Sequence, residues 1–193
     1  MSSCGNIKSI KSWFFFTGTD YSENLTGSFL GPAWAEELLK FSILYLIILK
    51  RDEFNEPMDG LVYGVVVSLG FATYENYTYV YEWASTVAKE ENFDFLEFSY
   101  LVAKGRSYSA IPMHGLNGAV MGYYFGLYAF SGNKNYLALS LILPYLFHGF
   151  YNFLGWPNML IIIGILIVYS LVLHSNLRQL QLAKKKEWEI KKL

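Results

Sequence analysis

Ala35-Glu36-Glu37-Leu38-Leu39-Lys40 opens a run of apolar residues that reaches Leu49, so two adjacent carboxylates stand at the mouth of a membrane-length stretch. Ionised side chains in a bilayer cost about 2.5–3.5 kcal/mol each on insertion scales, so such residues signal function or strong pairing. Working outward, later apolar stretches hold Glu75, Asn76, His114 and His148, with Asn152 one helical turn beyond His148. These residues are expected to converge on one site, with the rest of the chain as its scaffold.

Composition supports a membrane setting. Hydrophobic residues make up 53% and charged residues 16% of the 193, against about 25% charged in an ordinary soluble domain. Mean hydropathy is +0.25. The net charge of −1 argues against nucleic-acid binding, and the single cysteine, Cys4, excludes an internal disulfide and a thiolate metal cluster.

The reading is an all-α, polytopic membrane helix bundle of about five transmembrane helices with a basic C-terminal helix. Residues 1–31 form an interfacial or poorly ordered lead-in, because the apolar patch Trp13–Phe16 is too short to span. Residues 32–175 form the bundle. Its spans run from about Ala33 to Leu49, Met58 to Tyr81, Tyr108 to Phe130, Tyr136 to Gly155 and Pro157 to His174. Glu82–Arg106 is a charged, aromatic connector of weak helical periodicity. Residues 176–193, with Arg178, Lys184, Lys185, Lys186, Lys191 and Lys192, form a basic tail, which the positive-inside rule puts in the cytoplasm. Lys8, Lys11, Lys89, Lys104 and Arg106 then fall outside, against that rule. On this topology Glu36, Glu37, Glu75, His114 and His148 share a depth in the outer half of an integral membrane protein of the cell membrane.

Each motif also has a structural reading. Lys40 lies at i+4 from Glu36 and pairs with it, while acids suit a helix N-terminus. Glu75 and His114 suit hydrogen bonds between helices. Gly118, Gly122 and Gly126 continue from His114 at four-residue steps, a stripe that permits close helix packing. His174 is structural, and the sequon-like Asn76-Tyr77-Thr78 lies inside a span. Taken together, carboxylates, imidazoles and an amide supply a base for water and donors for an oxyanion.

The ordered set Glu36-Glu37-x-x-Lys40, Phe71-x-x-x-Glu75-Asn76, His114 with its glycine stripe and His148-x-x-Tyr151-Asn152-Phe153 resembles the PrsW family of bacterial intramembrane proteases, from about Pro32 to Phe153. It is similar, more distantly, to the CAAX prenyl endopeptidases. The resemblance implies endopeptidase activity on single-pass membrane proteins such as anti-sigma factors, near the extracytoplasmic side, with Glu36, Glu37, Glu75, His114, His148 and Asn152 as the catalytic set. Members carry membrane helices before the glutamate helix, where this chain has only Met1–Gly31, as in a shortened form.

Two mechanisms are open. With a metal such as zinc, Glu75, His114 and His148 are the ligands and Glu36 or Glu37 the base. Without one, a glutamate activates water and His148 and Asn152 bind the oxyanion; their one-turn spacing favours this form. A non-catalytic scaffold, akin to the scaffold subunit of gamma-secretase, and a proton-coupled transporter are the competing functions. The sequence has no inverted repeat, which a transporter favours, and a scaffold tolerates loss of Glu37 or His148. The partners are the bilayer and a membrane-protein substrate; no oligomeric state is legible.

Overall fold

The computed structural model describes residues 21–190, all of whose regular structure is helical. Lys8, Lys11, the Trp13–Phe16 patch, Lys191 and Lys192 lie outside the described residues. In chain order the helices are α1 (Tyr21–Ser28), α2 (Trp34–Leu46), α3 (Pro57–Tyr77), α4 (Ala84–Glu91), α5 (Phe95–Tyr108), α6 (Ala110–Ser131), α7 (Lys134–Leu154) and α8 (Met159–Ile190).

Burial departs from that of a water-soluble protein at the ionisable residues and on the outer surface. The fully buried side chains include Lys40, Glu37 and His114, while Val66 is 58% and Val168 63% exposed. Apolar side chains outward and ionisable ones inward match a bundle bathed in lipid, where charge faces the interior. α7 and the first 25 residues of α8 are long and apolar enough to cross a membrane. α3 and α6, at 21 and 22 residues, have spanning length but carry the glycines and polar residues that build the interior. α2 has 13 residues and continues as a short 3-10 turn, Ile48–Lys50.

The centre of the bundle is the antiparallel pair α3–α6. A Cβ at Gly60 would strike the backbone of Gly122 and Gly126, and one at Gly64 the backbone of Gly118 and Gly122; Gly118 sits against Ser68. The stripe read on α6 therefore meets a second stripe on α3, Gly60-x-x-x-Gly64-x-x-x-Ser68. Small residues on both sides let the backbones touch, which gives van der Waals contact where no hydrophobic drive exists. Continuing that register by one step brings buried Ala72 opposite His114, with Glu75 one turn beyond.

Helix ends follow local chemistry. Pro57 opens α3, and Asp59 Oδ2 accepts the backbone N–H of Glu56 at 2.9 Å. Gly132 closes α6 in the left-handed conformation at φ 70°. The Glu82–Arg106 connector is a helical hairpin: α3 passes through a π-helical turn, Thr78–Trp83, into α4, and left-handed Asn92 ends α4. Asp94 then caps α5 by accepting from Glu97 N at 2.9 Å. Its aromatic residues serve a core of its own, where Ala84, Val87, Ala88, Phe98 and Val102 are buried with Phe93 and Phe95 alongside.

Before α2 the chain kinks at Phe29–Ala33, where Gly31 is non-helical and Pro32 follows it. Phe29 packs edge-on against Tyr145 and Phe150 of α7, and a Cβ at Gly149 would strike its ring. The helix that contains the last expected span, Pro157 to His174, continues unbroken into the basic tail as far as Ile190. After Gly164 the sequence offers neither Gly nor Pro to stop it. Gln181 on this extension donates to Glu56 at 2.9 Å, beside the start of α3.

Gly122→Leu should abolish the α3–α6 contact, since overpacking costs about 1–3 kcal/mol even where neighbours can yield and here the obstacle is backbone. The purified variant should aggregate in detergent. Gly164→Leu, where a Cβ meets nothing within 4 Å, should remain monodisperse on size-exclusion chromatography.

Candidate functional site

Four helices deliver the site. α2 presents Glu37, Lys40 and Leu44 on one buried stripe, the i, i+3, i+7 pattern of an inward face. α3 brings Glu75 and Asn76, α6 brings His114 and α7 brings His148. Two contacts seat the last two. Asn117, one turn along α6 from His114, donates to the Pro144 carbonyl at 2.8 Å, tying α6 to α7 one turn before His148. Gly149 beside His148 admits Phe29.

The hydrogen bonds form one chain. Lys40 Nζ donates to Glu37 Oε1 at 2.7 Å and to His114 Nδ1 at 3.0 Å. An ammonium can only donate, so His114 Nδ1 is the acceptor and Nε2 carries the hydrogen, which it gives to Glu75 Oε2 at 2.8 Å. On the other side, His148 Nδ1 lies 2.8 Å from Glu37 Oε1. Glu37 is ion-paired to Lys40 and accepts, so the hydrogen of neutral His148 sits on Nδ1. Its Nε2 therefore presents a lone pair, 3.8 Å from Glu36 Oε2. The two imidazole rings are 5.3 Å apart and perpendicular. Phe71 covers the Lys40 ammonium, 4.7 Å from its ring centre, a cation–π contact that compensates lost solvation.

The geometry thus joins Glu36, Glu37, Glu75, His114 and His148. Asn152, half-buried on α7, has no hydrogen bond to the cluster among the described residues. Lys40 turns out to be the hub, although the sequence reading kept it as an ion-pair partner. Arg106 was legible only as a charge in the connector. It donates through Nη2 to Glu75 Oε2 at 2.7 Å and through Nε to Asn76 Oδ1 at 2.6 Å. The available signal was its position eight residues before His114, close to the depth of Glu75.

Glu36, His114 and His148 offer ligand atoms within 4.8 Å of one another, the spacing of a metal centre. The donor set suits zinc, which takes imidazole nitrogen and carboxylate oxygen. Two details fit: Glu36 Oε2 is buried without a hydrogen-bond partner among the described residues, and His148 Nε2 points its lone pair towards it. Glu37 backs His148 as a carboxylate commonly backs a ligating imidazole. This trio differs from the expected Glu75, His114 and His148, because Arg106 and His114 both engage the Oε2 of Glu75.

Comparison with known proteins gives a consistent answer. A family model described as "PrsW family intramembrane metalloprotease" matches residues 6–175. The chain is 32% identical over 174 residues to Protease PrsW of Clostridioides difficile, covering 86% of this chain and 68% of that protein. It is 36% identical over 129 residues to Protease PrsW of Geobacillus kaustophilus, covering 66% and 51% respectively. For Protease PrsW of Bacillus subtilis the match is 37% over 130 residues, covering 66% and 53%. The chain therefore spans about two thirds of the first relative and about half of the other two. No solved structure matches it.

Lys40→Met leaves the buried Glu37 carboxylate without its counter-ion, which should cost about 3–5 kcal/mol. The double variant Lys40→Met/Glu37→Gln should recover part of that loss. Unfolding by SDS titration in mixed micelles reads the difference; equal destabilisation of the two variants would contradict the pairing.

Proposed function

Since the chain belongs to the PrsW family, we propose that it is an intramembrane endopeptidase that hydrolyses peptide bonds of single-pass membrane proteins, anti-sigma factors among them. The observation that carries this reading is the convergence, from three helices, of buried Glu37, His114 and His148 with half-buried Glu36, whose Oε2 has no hydrogen-bond partner among the described residues and lies 3.8 Å from both Lys40 Nζ and His148 Nε2. Five spans, a cytoplasmic C-terminus and cleavage near the extracytoplasmic side belong to the same proposal. So does the division into a lead-in (1–31), a bundle (32–175) and a basic tail (176–193).

Glu36, His114 and His148 would hold the metal. When bound, it supplies Lewis acidity and lowers the pKa of water to near neutrality. The protein's own groups do the rest. Glu37 fixes the His148 ring through Nδ1–H and leaves its Oε2 free, without a partner among the described residues. That oxygen is the base that takes the proton of water and returns it to the leaving amine, a role worth about 10²–10⁴-fold in rate. Lys40 supplies the counter-charge to Glu37 at 2.7 Å. As a ligand, His114 would give up its Nδ1 contact with Lys40 and keep its Nε2–H on Glu75.

This reverses the mechanistic preference drawn from the spacing of His148 and Asn152. The Nδ1–H of His148 is taken by Glu37, and Asn152 makes no hydrogen bond to the network among the described residues. The family description as metalloproteases supports the same side. A scaffold function does not require a buried Glu36 oxygen without a hydrogen bond among the described residues, which favours the enzyme.

The deciding experiment reconstitutes the purified chain with a single-pass membrane substrate. Cleavage should be abolished by a strong chelator and restored by zinc. Glu37→Gln should retain metal and lose at least about a hundredfold in rate, as expected for a base, while His148→Asn should lose the metal itself. Cleavage indifferent to chelation would overturn the metal assignment, and no cleavage of any membrane substrate would overturn the enzyme.

A further inference from the structure

Arg106 belongs to no motif in the reading above, yet it is one of the more confined cations in the described chain. Its side chain is 11% exposed. It leaves the last turn of α5 and is held on three sides by α3 and the turn that follows. Nη2 donates to Glu75 Oε2 and Nε to Asn76 Oδ1. The guanidinium carbon lies 4.4 Å from the centre of the Tyr79 ring. Adjacent residues project about 100° apart around a helix, so one planar fork across Glu75 and Asn76 fixes both their rotamers and the rotation of the end of α3.

That grip falls where α3 is least self-sufficient. Two residues after Asn76 the regular ladder gives way to the π-helical turn Thr78–Trp83, and such turns gather at functional sites. The hairpin that carries Arg106 is packed around its own small core. The same oxygen that takes Arg106 also takes the Nε2–H of His114, at 2.7 and 2.8 Å. The position of the Glu75 carboxylate, and hence the angle of the His114 ring, is over-determined only while Arg106 is in place.

We infer that Arg106 is a positioning residue of the reaction: it anchors the α4–α5 hairpin to Glu75 and Asn76 and thereby orients His114 through Glu75 Oε2. The inference rests on the hydrolytic reading of the site for its kinetic consequence, but not for its structural one. A lysine retains the charge without the planar fork, so Arg106→Lys is a partial loss, and Arg106→Ala leaves a cavity shaped for guanidinium. Loss of a partner that orients a ligating side chain typically lowers activity roughly 10- to 100-fold, and here the fall should appear in kcat with KM unchanged.

The test uses the full chain in detergent with ¹⁵N-labelled histidine, the His114 ring signal being assigned through His114→Asn. The wild type should show a downfield, slowly exchanging Nε2–H. In Arg106→Ala that signal should shift and exchange faster, and millimolar guanidinium should return it, whereas methylammonium should not. Cleavage should fall and recover in parallel, with Arg106→Lys intermediate in both readouts. A His114 signal unmoved in Arg106→Ala, or a shift that guanidinium leaves uncorrected, would overturn the inference. If Arg106→Ala fails to fold, Arg106→Lys decides alone: wild-type signal and full kcat would overturn it. If the wild type cleaves nothing, the hydrolytic reading fails while the ring signal still judges the role of Arg106.

Discussion

The structure depends on one buried ammonium. Lys40 is fully enclosed, and an isolated charge of that kind in a low-dielectric interior carries a penalty of several kcal/mol. It is tolerated because Glu37 supplies the opposite charge, His114 Nδ1 accepts a second bond and Phe71 offers its ring face. Those partners sit on α2, α3 and α6, and Glu37 reaches α7 through His148. Satisfying one cation therefore fixes the mutual placement of four helices. It also puts a hydrogen on His114 Nε2 and on His148 Nδ1, and leaves Glu36 Oε2 without a hydrogen bond among the described residues. Chemistry and stability are in this sense the same requirement.

The network is possible only because α3 and α6 lie backbone to backbone. Gly60 and Gly64 against Gly118, Gly122 and Gly126 set both the spacing and the register, and the register delivers Glu75 to His114. A bulkier residue at any of these steps widens the gap and separates a hydrogen bond of 2.8 Å. Asn117 acts likewise between α6 and α7, donating to a carbonyl next to the helix irregularity at Pro144.

Much of this was legible in the sequence, because ionisable residues inside apolar stretches announce themselves. Glu36, Glu37, Glu75, His114 and His148 stood out individually, and their shared depth implied a common site. Half of the glycine contact was visible on α6; its counterpart on α3 hid among other small residues. Arg106 was hidden for a different reason. It lies outside the spans as read, in a segment whose charges look solvated, and only the fold of the α4–α5 hairpin turns it towards Glu75. Asn152 shows the converse: an i, i+4 spacing from His148 puts it on the same face, yet it makes no hydrogen bond to the cluster among the described residues. Which ring nitrogen carries a hydrogen was also hidden in the sequence, since it follows from the ammonium at Nδ1 of His114 and the carboxylate at Nδ1 of His148. The merging of the last span with the basic tail followed from the lack of a stop signal after Gly164.

The central claim is that two histidines and a glutamate from three helices form a single metal-holding centre around the Lys40 hub. X-ray absorption at the zinc edge of the purified, zinc-loaded chain measures it directly. The account predicts one zinc per chain with a shell of nitrogen and oxygen at about 2.0–2.1 Å and the outer-shell scattering of two imidazoles, one of which disappears in His148→Asn. A sulfur shell at about 2.3 Å, the distance of a cysteine ligand, or a zinc shell without imidazole would contradict it.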